Sequence, residues 1–224
     1  MTKLKSLTLL PLLVVITVYV MACENDDEEY TPLSLPHVYL SNNEITIADI
    51  VGIPNNVTIN KLKVEITGAD WEIIDVIEST YSDGKFVLSL PDPLPDSQLQ
   101  KVVRDNASDY AGHWRAETNN PKAKVARLLD IVAYNNDEPV GVLCLTDWPQ
   151  EGTIVGKSWI YYHYSNQTYT LSGTYGSYVH QASFQKGWNA YANTNVSEEA
   201  DYGSVICTTE IPMATTYIWY FKGY

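Results

Sequence analysis

From residue 44 onward, apolar and polar side chains alternate with a period of two, the spacing of strands that bury one face. In "EITIADIV", Ile45, Ile47 and Ile50 fall on the apolar side; in "NKLKVEITG", Leu62, Val64 and Ile66 alternate with Lys61, Lys63 and Glu65. "WEIIDVI" and "GKFVLSLP" follow, joined by Ser82-Asp83-Gly84-Lys85, a hairpin turn whose glycine tolerates positive φ. Short strands at this spacing predict a small β-sandwich over residues 37–95.

The pattern breaks at "PDPLPDSQLQKVVRDNASDYAGHW". Its prolines exclude a central strand. Asp96 or Ser97 is placed to cap a short helix over Gln98–Arg104, with Leu99, Val102 and Val103 on one face. Residues 96–120 are therefore expected to connect two modules. Over residues 121–224 the alternation returns. "KVARLLDIVAY" and "EPVGVLCLTDW" flank the turn Asn135-Asn136-Asp137, and six further strand-like stretches end in the aromatic "TTYIWYFKGY". A second antiparallel sandwich is predicted there, making the whole an all-β chain of two sandwich modules, Ig-like or prealbumin-like. Composition agrees, with 17 Tyr and 6 Trp in 224 residues.

The N-terminus follows a different rule. Met1, Lys3 and Lys5 precede an apolar run from Leu7 to Ala22 interrupted by Pro11. At about 16 residues the run is shorter than the roughly 20 needed to cross a bilayer, and it reads as a secretory signal over residues 1–22. Val20-Met21-Ala22-Cys23 resembles a bacterial lipobox, with a small residue before the cleaved bond and a thiol after it. The resemblance implies that Cys23 becomes a lipid-bearing first residue. Two or three acyl chains, at about 0.8 kcal/mol per buried methylene, hold a protein on a membrane where one does not. Residues 23–36 are acidic and then proline-spaced, the composition of an extended, disordered tether.

Loss of residues 1–22 removes Lys3 and Lys5, leaving 12 basic against 27 acidic residues, a formal charge of −15. A surface of that sign excludes nucleic acid as a partner. The charge is also uneven: residues 24–96 hold 15 acids and three lysines, residues 97–224 hold 12 acids and nine bases.

Three stretches carry a resemblance to a family. "YSDGKFVLSLP", "FQKGWNAYAN" and "IWYFKGY" are similar to uncharacterised surface lipoproteins of the Bacteroidota, in which an "F-x-L-x-L-P" hairpin precedes a "K-G-W-N" strand, here Lys186-Gly187-Trp188-Asn189. The resemblance spans most of the mature chain, and its motifs imply a fold and a location rather than an activity. Acidic residues directly after the lipidated cysteine resemble the signal that sends such lipoproteins to the outer face of the outer membrane. In this chain they are Glu24, Asp26, Asp27, Glu28 and Glu29.

Candidate chemistry is sparse. Cys144 and Cys207 admit two readings. As a disulfide they close a loop of about 63 residues, worth roughly 4 kcal/mol; as thiols they are small apolar side chains in a core, the favoured case, since pairing needs facing strands. His37, His113, His163 and His180 lack metal-ligand spacing, and no metal or other cofactor is expected. "DNASDYAG" is one ligand short of a loop-type calcium site. "GTYGSYVH" has the wrong spacing for a nucleophile elbow, and its Gly173 and Gly176 read as turn residues.

The aromatic density is more informative. In "SWIYYHYS", alternation sets Trp159, Tyr161 and His163 on one face and Ile160, Tyr162 and Tyr164 on the other. One row is expected to face solvent, so Trp159, Tyr161, Tyr162 and Tyr164 are the candidate binding surface, since flat rings stack on sugars or anchor protein partners. The sequence thus predicts a non-catalytic binding module, anchored in the outer membrane by lipid and exposed at the cell surface, with a glycan or surface protein as partner. A subunit of a pilus or transport complex is the alternative, and a polysaccharide hydrolase the third.

Overall fold

The structure, a computed structural model, describes residues 40–102, 116–147, 153–175, 177–198, 204–211 and 216–224. The expected signal segment, Cys23, the expected tether with its five acidic residues, and the "DNASDYAG" stretch lie outside these. Among the described residues regular structure is all β, with one 3-10 turn at Ala69–Trp71. No helix there is long and apolar enough to cross a membrane.

The first hairpin forms where the alternation places it. β1 (Glu44–Ala48) pairs antiparallel with β4 (Lys85–Ser89), setting Ile45 opposite Leu88 and Ile47 opposite Phe86, all four buried. The expected turn before β4 is present, with Asp83 and Gly84 at φ 53° and 83°. Asn136, at φ 57°, turns the chain in the same way between two later strands.

The large sheet is organised by β2 (Lys61–Thr67). One edge of β2 pairs with β3 (Ile73–Thr80); the other meets "KVARLLDIVAY", which is a single strand broken in the middle. Its halves, β7 (Lys124–Leu128) and β8 (Ile131–Asn135), pair with Ile66–Thr67 and with Lys61–Lys63. Between them Leu129 N donates to Glu65 O at 2.9 Å, and the register slips by one residue. Leu129–Asp130 is thus a bulge, and bulges bend strands. Two strands diverge from it: β9 (Glu138–Thr146) beside β8 and β10 (Ser158–Ser165) beside β7, rejoining at Leu145–Ile160 and Thr146–Trp159.

From β10 the sheet continues through β13 (Gly187–Asn195), β14 (Val205–Thr208), β12 (Tyr178–Phe184) and β11 (Tyr169–Tyr175) to the short β6 (Glu117–Thr118). β12 and β14 run parallel, whereas the other ladders between the described strands are antiparallel. At the opposite end β15 (Ile218–Gly223) lies on β9, and Val51 bridges its outer edge through hydrogen bonds to Trp219 and Phe221.

One hydrophobic core joins the β1–β4 pair to one face of the large sheet, with Leu62, Val64 and Ile66 packed among Ala126, Leu128, Ile131, Ala133, Trp219 and Phe221. Leu35–Tyr224 forms one compact unit. The modules expected over 37–95 and 121–224 therefore share a sheet, since β2 from the first lies between β8 and β7 of the second. The charge difference between residues 24–96 and 97–224 is one of surface, whereas apolar faces from both halves complete one core.

The helix expected over Gln98–Arg104 is absent from its described part, residues 98–102. Gln98 O accepts from Ala69 N at 2.8 Å, and β5 (Gln100–Lys101) pairs with β7. Leu99 enters the main core while Val102 packs on a second cluster, so the two do not share a face.

Candidate binding cavity

The residues between the core positions point to the other face of the large sheet: Lys63 and Glu65 on β2, Val132 and Tyr134 on β8, Tyr161 on β10. Five strands lie between β8 and β12 in sheet order, yet Tyr134 and Tyr178 line one cavity. The sheet therefore curls around it. The cavity holds about 590 Å³, within the roughly 300–1,000 Å³ range of small-ligand sites.

Four tyrosines give it its character: Tyr134, Tyr161, Tyr178 and Tyr191. Tyr161 and Tyr178 are 39% and 38% exposed, so their rings are open to a ligand. Tyr161 faces Tyr191 directly across the β10–β13 ladder, with ring centroids 5.7 Å apart and stacked. Tyr191 in turn meets Phe184 edge-on at 6.0 Å and His163 at 5.3 Å. Lys61 fixes the far wall, with its ammonium 5.3 Å from the Tyr134 ring centre and 3.0 Å from Asp137.

A second buried cluster supports these rings, built from Ala123, Val125, Tyr169, Ala182 and Phe184. His163 is enclosed beside it, Nε2 3.1 Å from the Tyr169 hydroxyl and its ring 4.0 Å from Phe184. Burial, with a smaller contribution from the Arg127 charge, pushes the imidazole down to about 3. Burial raises the Tyr169 phenol. Neutral imidazole therefore bonds to neutral phenol, a scaffold rather than a proton relay.

The polar wall is a single row. Asn193 is opposite Cys207, Cys207 is opposite His180, and His180 is opposite Gly173. Gly173, expected in a turn, lies inside β11 at φ 104°, where it places no side chain against the imidazole. Asn193 Oδ1 and His180 Nδ1 are buried with no hydrogen-bond partner among the described residues. Burial, then the Arg127 charge, lowers His180, so its ring is neutral at pH 7. Burial pushes the Cys207 thiol up to about 12, which keeps it protonated and a poor nucleophile.

Two acids and two bases complete the lining: Glu65, Asp130, Lys63 and Arg127. The Arg127 guanidinium lies 5.1 Å from the centre of the Trp71 ring. Among the described residues no carboxylate pairs with it, the one ion pair there being Lys61–Asp137.

The expected aromatic surface divides along its alternation. Tyr161 lines the cavity. Trp159 is half-buried beside a smaller space of about 60 Å³ where β9 and β10 part, together with Cys144 and Trp219. Tyr162 and Tyr164 do not belong to any surface: at 4% and 1% exposure they are core residues, and Tyr164 packs edge-on to Trp188 at 5.7 Å. Cys144 and Cys207 are free thiols, because β9 and β14 are not neighbours. Sequence reasoning missed Arg127, Tyr134, Tyr178, Tyr191 and Asn193 and gave His180 no role. Alternation in "GWNAYAN" and "SYVHQASF" pairs Tyr191 with Asn193 and Tyr178 with His180, but does not bring the two pairs together. No family model matches the chain, and no curated protein or solved structure matches it, so the cavity is interpreted from its own geometry.

Proposed function

We propose that the protein is a lipoprotein anchored through Cys23 in the outer membrane and exposed at the cell surface, where it binds a glycan without turning it over. Four tyrosines around one cavity support this, since open aromatic rings stack on sugar faces while buried polar atoms beside them orient hydroxyls. The fold belongs to the same proposal as a β-sandwich of Ig-like or prealbumin-like type, with the β1–β4 pair as its smaller layer. Glu24, Asp26, Asp27, Glu28 and Glu29 act as the export label, and the resemblance to Bacteroidota surface lipoproteins agrees with that location.

A binding role is favoured over hydrolysis because the polar wall holds no activated nucleophile: burial keeps the Cys207 thiol protonated. Glu65 and Asp130 are the acids a hydrolase would require. If bound glycan is cleaved over time, and Glu65→Gln or Asp130→Asn stops the cleavage, the non-catalytic proposal fails.

A glycan array probed with the full-length chain in detergent micelles tests binding. We expect a restricted set of saccharides to bind and Tyr161→Ala to lose them. A blank array shifts weight to the second role, a subunit of a pilus or transport complex. One observation favours that role: among the described residues β3 is an edge strand laddered to β2 alone, with Ile73 and Val76 55% and 40% exposed, as strand addition requires.

A further inference from the structure

We infer that the cavity takes an acidic saccharide, a hexuronic acid or another sugar bearing one carboxylate, with the carboxylate on Arg127 and ring hydroxyls on Asn193 and His180. The inference rests on the glycan proposal and narrows it to a class of sugar.

Arg127 is the first reason. The chain carries 27 acidic against 14 basic residues, so a basic side chain should find a carboxylate easily. Arg127 lines the cavity with none at salt-bridge distance among the described residues, and no described hydrogen bond uses its donors. A guanidinium offers a planar fork of N–H donors that matches a carboxylate in two parallel bonds. Its guanidinium carbon lies 5.1 Å from the centre of the Trp71 ring, a contact that uses none of the N–H donors. Trp71 is 56% exposed and sits in the left-handed backbone region at φ 65°, a conformation a bulky residue adopts at a cost.

The orphaned polar atoms are the second reason. A buried acceptor without a partner is unfavourable in the empty protein and favours a ligand that supplies a donor. Asn193 Oδ1 and His180 Nδ1 belong to one row on the same lining as Arg127, with Cys207 between them. A hydroxyl both donates and accepts, so it satisfies the amide in either orientation and the imidazole in either tautomer. Sugars present several hydroxyls on a rigid ring, so separate hydroxyls serve the two groups.

The number of charges is the third. Glu65 and Asp130 share the lining, so a dianion such as a phosphate monoester meets two like charges. The two bases, Lys63 and Arg127, balance those acids in formal charge, so one carboxylate on Arg127 is better tolerated than a dianion. Tyr161 and Tyr191 then offer their stacked edge to the sugar ring.

Titration by intrinsic fluorescence tests this, using the full-length chain in neutral detergent micelles, a panel of uronic-acid oligosaccharides and the carboxyl-reduced form of each. We expect at least one acidic oligosaccharide to bind about tenfold or more tightly than its reduced form. Arg127→Met, with its circular-dichroism spectrum unchanged, is expected to bind both forms alike at the weaker affinity. Equal binding of acid and reduced forms by the wild type overturns the acidic-sugar inference and leaves the glycan proposal standing. Retention of the acid preference in Arg127→Met also overturns it. Binding of no saccharide, neutral or acidic, overturns both.

Discussion

The indole N–H of Trp188 donates to the carbonyl of Pro91 at 2.8 Å, joining residues 97 apart in the chain. Trp188 stands in "KGWN" and Pro91 closes "FVLSLP", so these two motifs are the halves of one contact. Phe86, Leu88 and Leu90 lie in the core with Trp188, and the indole fixes the point where the chain leaves it. Trp188→Phe keeps most of the ring but strands the carbonyl. Urea unfolding should show a loss of about 1 kcal/mol, the cost of a partly buried carbonyl left without its partner. A change below about 0.5 kcal/mol would mean that water replaces the indole there.

Acid should destabilise the fold through His163. In the unfolded chain its imidazole titrates near the ordinary 6.5, whereas in the fold it is held to about 3. Above pH 6.5 the ring is neutral in both states and nothing is lost. Below that, the unfolded chain binds a proton the folded chain refuses, so stability falls by about 1.4 kcal/mol per pH unit until the pH nears 3. His180, also lowered, adds in the same direction. Unfolding midpoints for His163→Phe at pH 7, 5 and 4 should decline less steeply than those of the wild type. Parallel declines would rule out His163 as the source.

The thiols provide a count. Cys144 and Cys207 are unpaired, with both thiols raised by burial, so a thiol reagent should react slowly with the native protein. In urea without reductant the protein should titrate two thiols per chain, because the proposed thioether at Cys23 would leave that residue silent. A third reactive thiol would contradict lipidation. None would mean a disulfide.

Gly141 is dictated by its neighbour. A Cβ there would lie 2.4 Å from Lys222 O and 2.7 Å from the Phe221 ring, inside the β9–β15 ladder that holds the C-terminus. Gly141→Ala should lower stability by about 1–3 kcal/mol, the usual cost of overpacking. An unchanged denaturation midpoint would show that β15 can shift without loss.

Much of this architecture is readable locally. Alternation placed Leu62, Val64 and Ile66 in the core and Lys63 and Glu65 opposite them, and the Asp83-Gly84 and Asn136 turns lie where their residues predict. Cys207 and Arg127 show what is not readable. They line one cavity because β10, β13 and β14 follow β7 in the sheet, an order set by pairings between distant residues. Nor does alternation in "SWIYYHYS" say which row is inside. That is decided by Trp188 packing against Tyr164 and by Tyr191 stacking on Tyr161.

The most direct test is a comparison of Tyr161→Ala with the wild type, measuring affinity for a saccharide found on the array together with the unfolding midpoint. Tyr161 is 39% exposed and lines the cavity. The variant should keep a midpoint close to that of the wild type while its affinity falls at least about tenfold, as loss of a stacked ring implies. Tyr164→Ala serves as the contrast, expected to lose about 3–5 kcal/mol of stability as a buried aromatic does. Undiminished affinity in a folded Tyr161→Ala variant would contradict the assignment of this cavity as the glycan site.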